Sequence, residues 1–131
     1  MDFFVAYHAA DQGWAEWVGQ RLQDAGYSVE LQSWDYWARS SFILEMLAAS
    51  AIAETTIALL SPDFLTDNLT RPEWAAAYVQ DPEGREGILV AVRVKECAVA
   101  EALPEMEYVD LVGLAEDAAV AALLTGVRKK R

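Results

Sequence analysis

Short, uninterrupted runs of apolar residues recur along the chain and alternate with segments of helical periodicity. Three such runs occupy residues 3–7, 55–60 and 88–94, and the last is the strongest. Runs of this kind are typical of strands that are buried on both faces of a parallel sheet. Residues 27–31 alternate between apolar and polar side chains, which predicts a strand near a sheet edge, and residues 107–111 predict a fifth strand.

The first helical segment follows the first apolar run directly. Apolar positions from Trp14 to Leu22 recur at intervals of three and four residues, which predicts a helix with Trp14 and Trp17 in the core. Asp11 stands where its side chain would cap the start of this helix. Gly26 stands where a glycine commonly ends one.

Further helices are predicted at residues 42–53, 74–79 and 115–127. Ser61 and Pro62 form a helix-start pair, with serine as the cap and proline in the first helical position. Strand and helix alternate throughout, so the sheet should be parallel with helices on both faces. The sequence therefore predicts a single doubly wound, flavodoxin-like α/β domain with a five-stranded, mostly parallel sheet.

Composition limits the possible functions. The 131 residues suit one domain at 1–127, followed by a basic tail or the start of a linker at 128–131. A net charge of −11 argues against nucleic acid as a partner. One cysteine and one histidine exclude a disulfide framework and argue against a metal site. The chain has no leader-like start and no apolar run near the ~20 residues of a membrane span, so a cytoplasmic protein without membrane contact is expected.

Ligands of open parallel sheets bind at the carboxyl ends of the strands. The residues that follow strands one to four and would share this rim are His8, Ala9, Ala10, Asp11, Trp34, Asp35, Tyr36, Trp37, Ser61, Glu73, Lys95 and Glu96. The rim is rich in aromatic and carboxylate side chains. The glycine-rich phosphate loops of dehydrogenases and P-loop proteins are absent, and so is the serine elbow of α/β hydrolases.

Several segments resemble a TIR (Toll/interleukin-1 receptor) domain of the bacterial type. Residues 3–11 are similar to the family's first box, an apolar strand followed by tyrosine and a loop with aspartate. Residues 33–35 match the start of the loop after strand two, and residues 59–65 match the end of strand three. Residues 73–77 are similar to the glutamate-bearing helix that comes next. The four segments occur in the family's order and spacing.

The resemblance implies two possible functions. Some TIR domains are scaffolds that bind other TIR domains, and others hydrolyse or cyclise NAD by cutting the bond between nicotinamide and ribose. In the enzymes the essential residue is the glutamate that matches Glu73. The resemblance thus implies an NAD nucleosidase that uses NAD as substrate without a cofactor, is activated by self-association, and acts in bacterial immunity against phage as part of a longer protein. The implied substrate-binding residues are Tyr7, His8, Ala9, Trp34, Asp35, Tyr36, Trp37 and Ser61.

The alternative is a non-enzymatic TIR–TIR interaction module. Thr70 and Glu73 have the spacing of a capping box, in which the glutamate side chain reaches back to the threonine N–H. This role requires no catalysis. The loop at 33–42 is the family's usual self-association element, but Ala38-Arg39 stands where the family usually has proline and glycine.

Overall fold

The computed structural model describes residues 2–31, 54–67 and 77–130. Within these residues, five strands form one sheet in the order β2-β1-β3-β4-β5, and every neighbouring pair is parallel. The strands are β1 (Phe3–Ala6), β2 (Val29–Leu31), β3 (Thr55–Leu60), β4 (Leu89–Arg93) and β5 (Tyr108–Asp110). The predicted doubly wound α/β fold is therefore confirmed.

Helices connect these strands and cover the sheet. They are α1 (Gln12–Asp24), α2 (Pro62–Asp67), α3 (Val99–Ala102) and α4 (Glu116–Lys130). Residues 77–80 are also helical, and a 3₁₀ turn at Ala9–Asp11 precedes α1. The helix predicted at 42–53 lies outside the described residues, and so do residues 74–76 of the helix predicted at 74–79. Among those residues, no helix is long and apolar enough to cross a membrane.

Alternating strand residues form a separate core on each face of the sheet. Phe3 and Val5 pack with buried residues of α1 and α4 on one face. Phe4 and Ala6 pack with Phe64 of α2 and with α3 on the other. Because both faces are covered, successive residues of β1 and β3 are all buried, which explains their continuous apolar runs.

The second strand begins two residues later than its alternating pattern predicts, because the chain is still completing α1. The Tyr27 N–H donates to the Leu22 carbonyl at 3.1 Å, and the Gly26 N–H donates to the Gln23 carbonyl at 3.0 Å. Gly26 has a φ of +97°, which makes this a Schellman motif. The prediction that Gly26 ends the helix is confirmed, and Val29 is the first ladder residue.

A close approach between α4 and β5 depends on Gly126. A Cβ atom at this position would lie 2.3 Å from Val109 Cγ2. We expect Gly126→Ala to lower the free energy of unfolding by ~1–3 kcal/mol through overpacking, although alanine favours a helix by about 1 kcal/mol. Urea denaturation of Gly126→Ala, and of the same variant carrying Val109→Ala, measures this effect.

Val109→Ala should restore much of the stability that Gly126→Ala loses, since it removes the methyl group that clashes. Gly13→Ala is the matched control, because a Cβ there meets no atom within 4 Å. Its expected effect is neutral or stabilising. Equal stability of Gly126→Ala and the unmodified chain would show that the two elements separate without cost.

The turn before β4 is organised by the Asp81 carboxylate, which is only 1% exposed. Its Oδ1 accepts from the N–H groups of Arg85 at 2.8 Å and Glu86 at 3.0 Å. Its Oδ2 accepts from Ile88 at 3.2 Å and Leu89 at 3.1 Å. Burial acts to raise the pKa of Asp81, but the four backbone donors together lower it below its ordinary value.

This lowered pKa makes Asp81 a source of acid sensitivity. Its contribution to stability is complete above the ordinary aspartate pKa of about 3.9, and it is lost as the pH falls through the lower folded-state pKa. We expect Asp81→Asn to cost ~3 kcal/mol at pH 7, because an amide has one acceptor oxygen for four donors. The free energy of unfolding, measured with urea from pH 7 to pH 3, should depend less on pH in this variant than in the unmodified chain. Glu86→Gln, at an exposed position, is the control and should match the unmodified chain.

Candidate functional site

A buried carboxylate joins the carboxyl ends of three strands. Asp11 ends the 3₁₀ turn after β1 and is 1% exposed. Its Oδ2 accepts a short hydrogen bond from the hydroxyl of Ser61, which follows β3. Its Oδ1 lies 2.6 Å from the ammonium nitrogen of Lys95, which follows β4. Side-chain contacts therefore hold together the strand ends at the rim on which the sequence places these residues.

Ser61 also starts α2. Its Oγ accepts from the Phe64 N–H at 3.1 Å, so the predicted serine cap is confirmed. The residue is fully buried. Asp11, in contrast, makes no side-chain cap to α1, and the cap predicted for it is wrong. Its carboxylate is instead turned to Ser61 and Lys95, because a buried charge is stabilised by an opposite charge and a hydroxyl donor.

Lys95 presents a partly exposed cation at this rim. Its side chain is 41% exposed, whereas that of Asp11 is fully buried. The hydrogen bond to Asp11 raises the pKa of Lys95, and the nearby charge of Asp63 adds to the effect. The ammonium group is therefore held in its charged form beside Asp11, on a side chain that is partly accessible to solvent.

His8 connects the loop after β1 with the end of α2. Its Nδ1 accepts from the Ala10 N–H at 3.0 Å, and its Nε2 lies 2.9 Å from Asp67 Oδ2. Because Nδ1 is the acceptor in the first contact, the geometry assigns the proton to Nε2, which donates to Asp67. The ring thus fixes the last residue of α2, six residues before Glu73 in the sequence.

The remaining residues predicted for the site differ in their surroundings. Tyr7 is 4% exposed and belongs to the core cluster on the α1 and α4 face. Burial, with a smaller effect from Glu16, raises its pKa. Ala9 is partly exposed beside His8. The predicted residues that lie outside the described part of the chain are Trp34, Asp35, Tyr36, Trp37 and Glu73.

Arg93, at the end of β4, makes contacts that the sequence did not reveal. Its guanidinium forms a fork with Asp110 of β5, with distances of 3.1 Å from Nε to Oδ1 and 2.7 Å from Nη2 to Oδ2. Its Nη1 donates to the Cys97 carbonyl at 3.2 Å. The hydrogen bonds to Asp110 raise the pKa of Arg93 and lower that of Asp110. This guanidinium is therefore engaged in joining β4 to β5.

The rim has the character of a binding edge with a fixed framework. Ion pairs and hydrogen bonds hold the segments after β1, β3 and β4, and Lys95 is a solvent-accessible cation among them. In the parts of the chain that the structure describes, no group of three or more His, Cys, Asp or Glu side chains could hold a metal ion. Such a framework is suited to a ligand that is recognised through polar groups.

Solved structures of similar fold include the TIR domain of one receptor and part of another receptor. The TIR domain of the Toll-related receptor TRR-2 from the lower metazoan Hydra magnipapillata superimposes with a TM-score of 0.76 at 20% identity, over 99% of this chain and 98% of that one. A metazoan TIR-STING receptor from C. gigas gives 0.66 at 19% identity, over 92% of this chain and 39% of that one. At these identities the similarity shows a shared fold.

Sequence similarity identifies the family. No curated protein matches the chain significantly. A sequence profile of the TIR domain family matches residues 3–124, a range that includes β1 to β5, the buried Asp11 and Ser61, the partly exposed Lys95, and Glu73. This range is nearly the whole chain, and the chain therefore belongs to the TIR domain family.

Proposed function

We propose that this TIR domain is an NAD nucleosidase that breaks the bond between nicotinamide and ribose, with Glu73 as the catalytic carboxylate. The observation that carries the proposal is the place of Glu73 within the family match at residues 3–124. It follows β3 and α2 in the sequence, as the essential glutamate does in the enzymatic members. The setting we propose is immune signalling, such as bacterial defence against phage.

A single carboxylate is sufficient for this chemistry. Nicotinamide is bound to ribose as a cationic ring and leaves as a neutral one, so no general acid is needed to protonate it. The transition state resembles an oxocarbenium ion, as in other glycoside cleavages. A carboxylate beside the ribose would accept hydrogen bonds from its hydroxyls and stabilise the developing positive charge. Trp34, Tyr36 and Trp37 are the proposed stacking surfaces for the rings.

The framework of the rim supports the proposal by fixing the point from which the Glu73 segment departs. Ser61 anchors the start of α2 to Asp11, and His8 anchors its end at Asp67. Residues 77–80, on the other side of that segment, are helical, and Ala77 packs in the core cluster with Phe64. Catalytic groups are effective when such neighbours hold them in place.

A second candidate is an interaction module that recruits other TIR domains through a surface including the 33–42 loop. The two similar structures described above come from receptors. The spacing of Thr70 and Glu73 also allows a purely structural role for the glutamate. Self-association belongs to both candidates, because we propose that the enzyme is activated when several copies meet.

The test is NAD consumption by the free domain and by the domain fused to an oligomeric carrier, with nicotinamide release followed by chromatography. We expect turnover to rise when the copies are clustered. The chromatogram also separates hydrolysed from cyclised product. Absence of nicotinamide release from a folded, clustered protein at millimolar NAD would refute the enzymatic proposal and favour the interaction module.

A further inference from the structure

A cavity of about 460 Å³ lies between the first turns of α1 and the start of α4. Its size falls within the range of small-molecule sites. It is on the sheet face covered by α1 and α4, whereas Ala77, four residues after Glu73, packs on the opposite face. The lining residues are Gly13, Trp14, Trp17, Leu114, Glu116 and Ala119.

Two indole rings and a carboxylate give this cavity its chemistry. The rings of Trp14 and Trp17 meet edge to face, with centroids 5.7 Å apart and an angle of 76° between planes. The Trp17 Nε1–H donates to Glu116 Oε1 at 3.3 Å. The Glu116 side chain is 71% exposed, so its charge is accessible at the cavity edge. The cavity thus combines aromatic surface with one negative charge.

The surrounding charges favour a cation over an anion. The Arg21 guanidinium lies over the Trp17 ring, 5.8 Å from its centroid, in a cation–π arrangement. Arg21 is itself paired with Asp24 at 3.4 Å and lies 4.0 Å from Glu116. The start of α4, which would otherwise attract anions, carries Glu116 and Asp117 in its first turn.

We infer that this cavity binds a flat organic cation, of the class of N-alkylated pyridinium rings. The indole faces would receive the apolar ring through stacking and cation–π attraction, and Glu116 would pair with its positive charge. Leu114, which is 43% exposed, would cover the edge of the ring. The inference does not depend on NAD cleavage, because the cavity and Ala77, the first described residue after Glu73, lie on different faces of the sheet.

The experiment is an NMR titration of the intact chain with 1-methylnicotinamide, observing the indole N–H signals. The neutral isostere 3-methylbenzamide is the matched control ligand. We expect the Trp14 and Trp17 signals to shift, with the cation binding about tenfold more tightly than its neutral isostere. Glu116→Gln should remove most of that difference and leave the affinity for the neutral isostere unchanged.

Gly13→Leu tests the location. Gly13 lines the cavity and a Cβ there meets nothing within 4 Å, so a leucine at this position is expected to occupy part of the cavity, and the shifts should be lost from a folded protein. Equal affinity for the two ligands would overturn the inference, as would shifts that survive Gly13→Leu. A dimer seen in sedimentation that Gly13→Leu dissociates would overturn it as well, because a second copy would then occupy the site.

Discussion

Replacing Glu73 with glutamine is expected to reduce NAD cleavage by ~10²–10³-fold in a protein that remains folded. Glutamine keeps the size of the side chain and an oxygen that accepts hydrogen bonds, but it loses the negative charge. The proposed reaction needs that charge, because positive charge develops on the ribose as nicotinamide departs. Initial rates of nicotinamide release from the clustered domain provide the measurement.

The same substitution separates catalysis from helix capping, which is the structural alternative for Glu73. In a capping box, glutamine replaces glutamate well, whereas alanine removes the side-chain acceptor. We therefore expect Glu73→Gln to leave the free energy of unfolding nearly unchanged and Glu73→Ala to cost ~1 kcal/mol. A cap alone would make the glutamine variant neutral in every assay.

Thr70→Ala is the complementary control, because it removes the threonine side of the box and keeps the carboxylate. It should lose ~1 kcal/mol of stability and retain NAD cleavage. Glu86→Gln, at an exposed position, controls for the loss of one negative charge. Full activity of Glu73→Gln would exclude the catalytic role. If Glu73→Gln is inactive while Thr70→Ala is fully active, loss of the helix cap is excluded as the cause of the lost NAD cleavage.

The architecture could be predicted because burial on both faces of a sheet leaves a continuous apolar run. The runs at 3–7, 55–60 and 88–94 correspond to β1, β3 and β4, the central strands of the sheet. The weaker alternation at 27–31 correctly indicated an edge strand, since β2 pairs only with β1 among the described strands. The carboxyl-end rule then brought Asp11, Ser61 and Lys95 to one rim, which the structure confirms.

The partners within that rim could not be predicted from the sequence. Asp11 and Lys95 are 84 positions apart, and their contact depends on the register of β1, β3 and β4 and on the rotamers of two side chains. The pattern around Asp11 was equally consistent with a helix cap, because a local signal does not include distant partners. The fork between Arg93 and Asp110 could not be predicted for the same reason, because it requires β4 and β5 to be adjacent.

Periodicity also indicates which face of a helix is apolar but not how deeply each residue is buried. Trp14 and Trp17 were predicted in the core, and they do pack against the core cluster, but both remain partly exposed. They border the cavity because α4 begins only at Glu116 and leaves the first turns of α1 open. Glu116 is 99 positions from Trp17 in the sequence, so no local pattern could indicate the contact between them.

The second large effect is expected at Lys95, where Lys95→Met should lower the free energy of unfolding by ~3 kcal/mol. Removing the ammonium leaves the fully buried Asp11 carboxylate with only the Ser61 hydroxyl as a side-chain donor. Asp11→Asn should cost less, ~1–2 kcal/mol, because the 41% exposed Lys95 is free to turn its charge to water. Lys95→Met is expected to cost more than Asp11→Asn because it leaves the buried charge of Asp11 without its partner.

The double variant Asp11→Asn, Lys95→Met tests this asymmetry, because it removes both charges. Its cost should fall below the sum of the single variants by at least ~1 kcal/mol, measured by urea unfolding at pH 7 as a double-mutant cycle. Arg85→Met is the surface control: its side chain is 60% exposed and pairs with Glu83 and Glu107, so little change is expected. Strict additivity at Asp11 and Lys95 would mean that Asp11 depends on Ser61 alone. A large coupling would mean that the ion pair itself holds the ends of β1 and β4 together, and with them the rim on which NAD is proposed to bind.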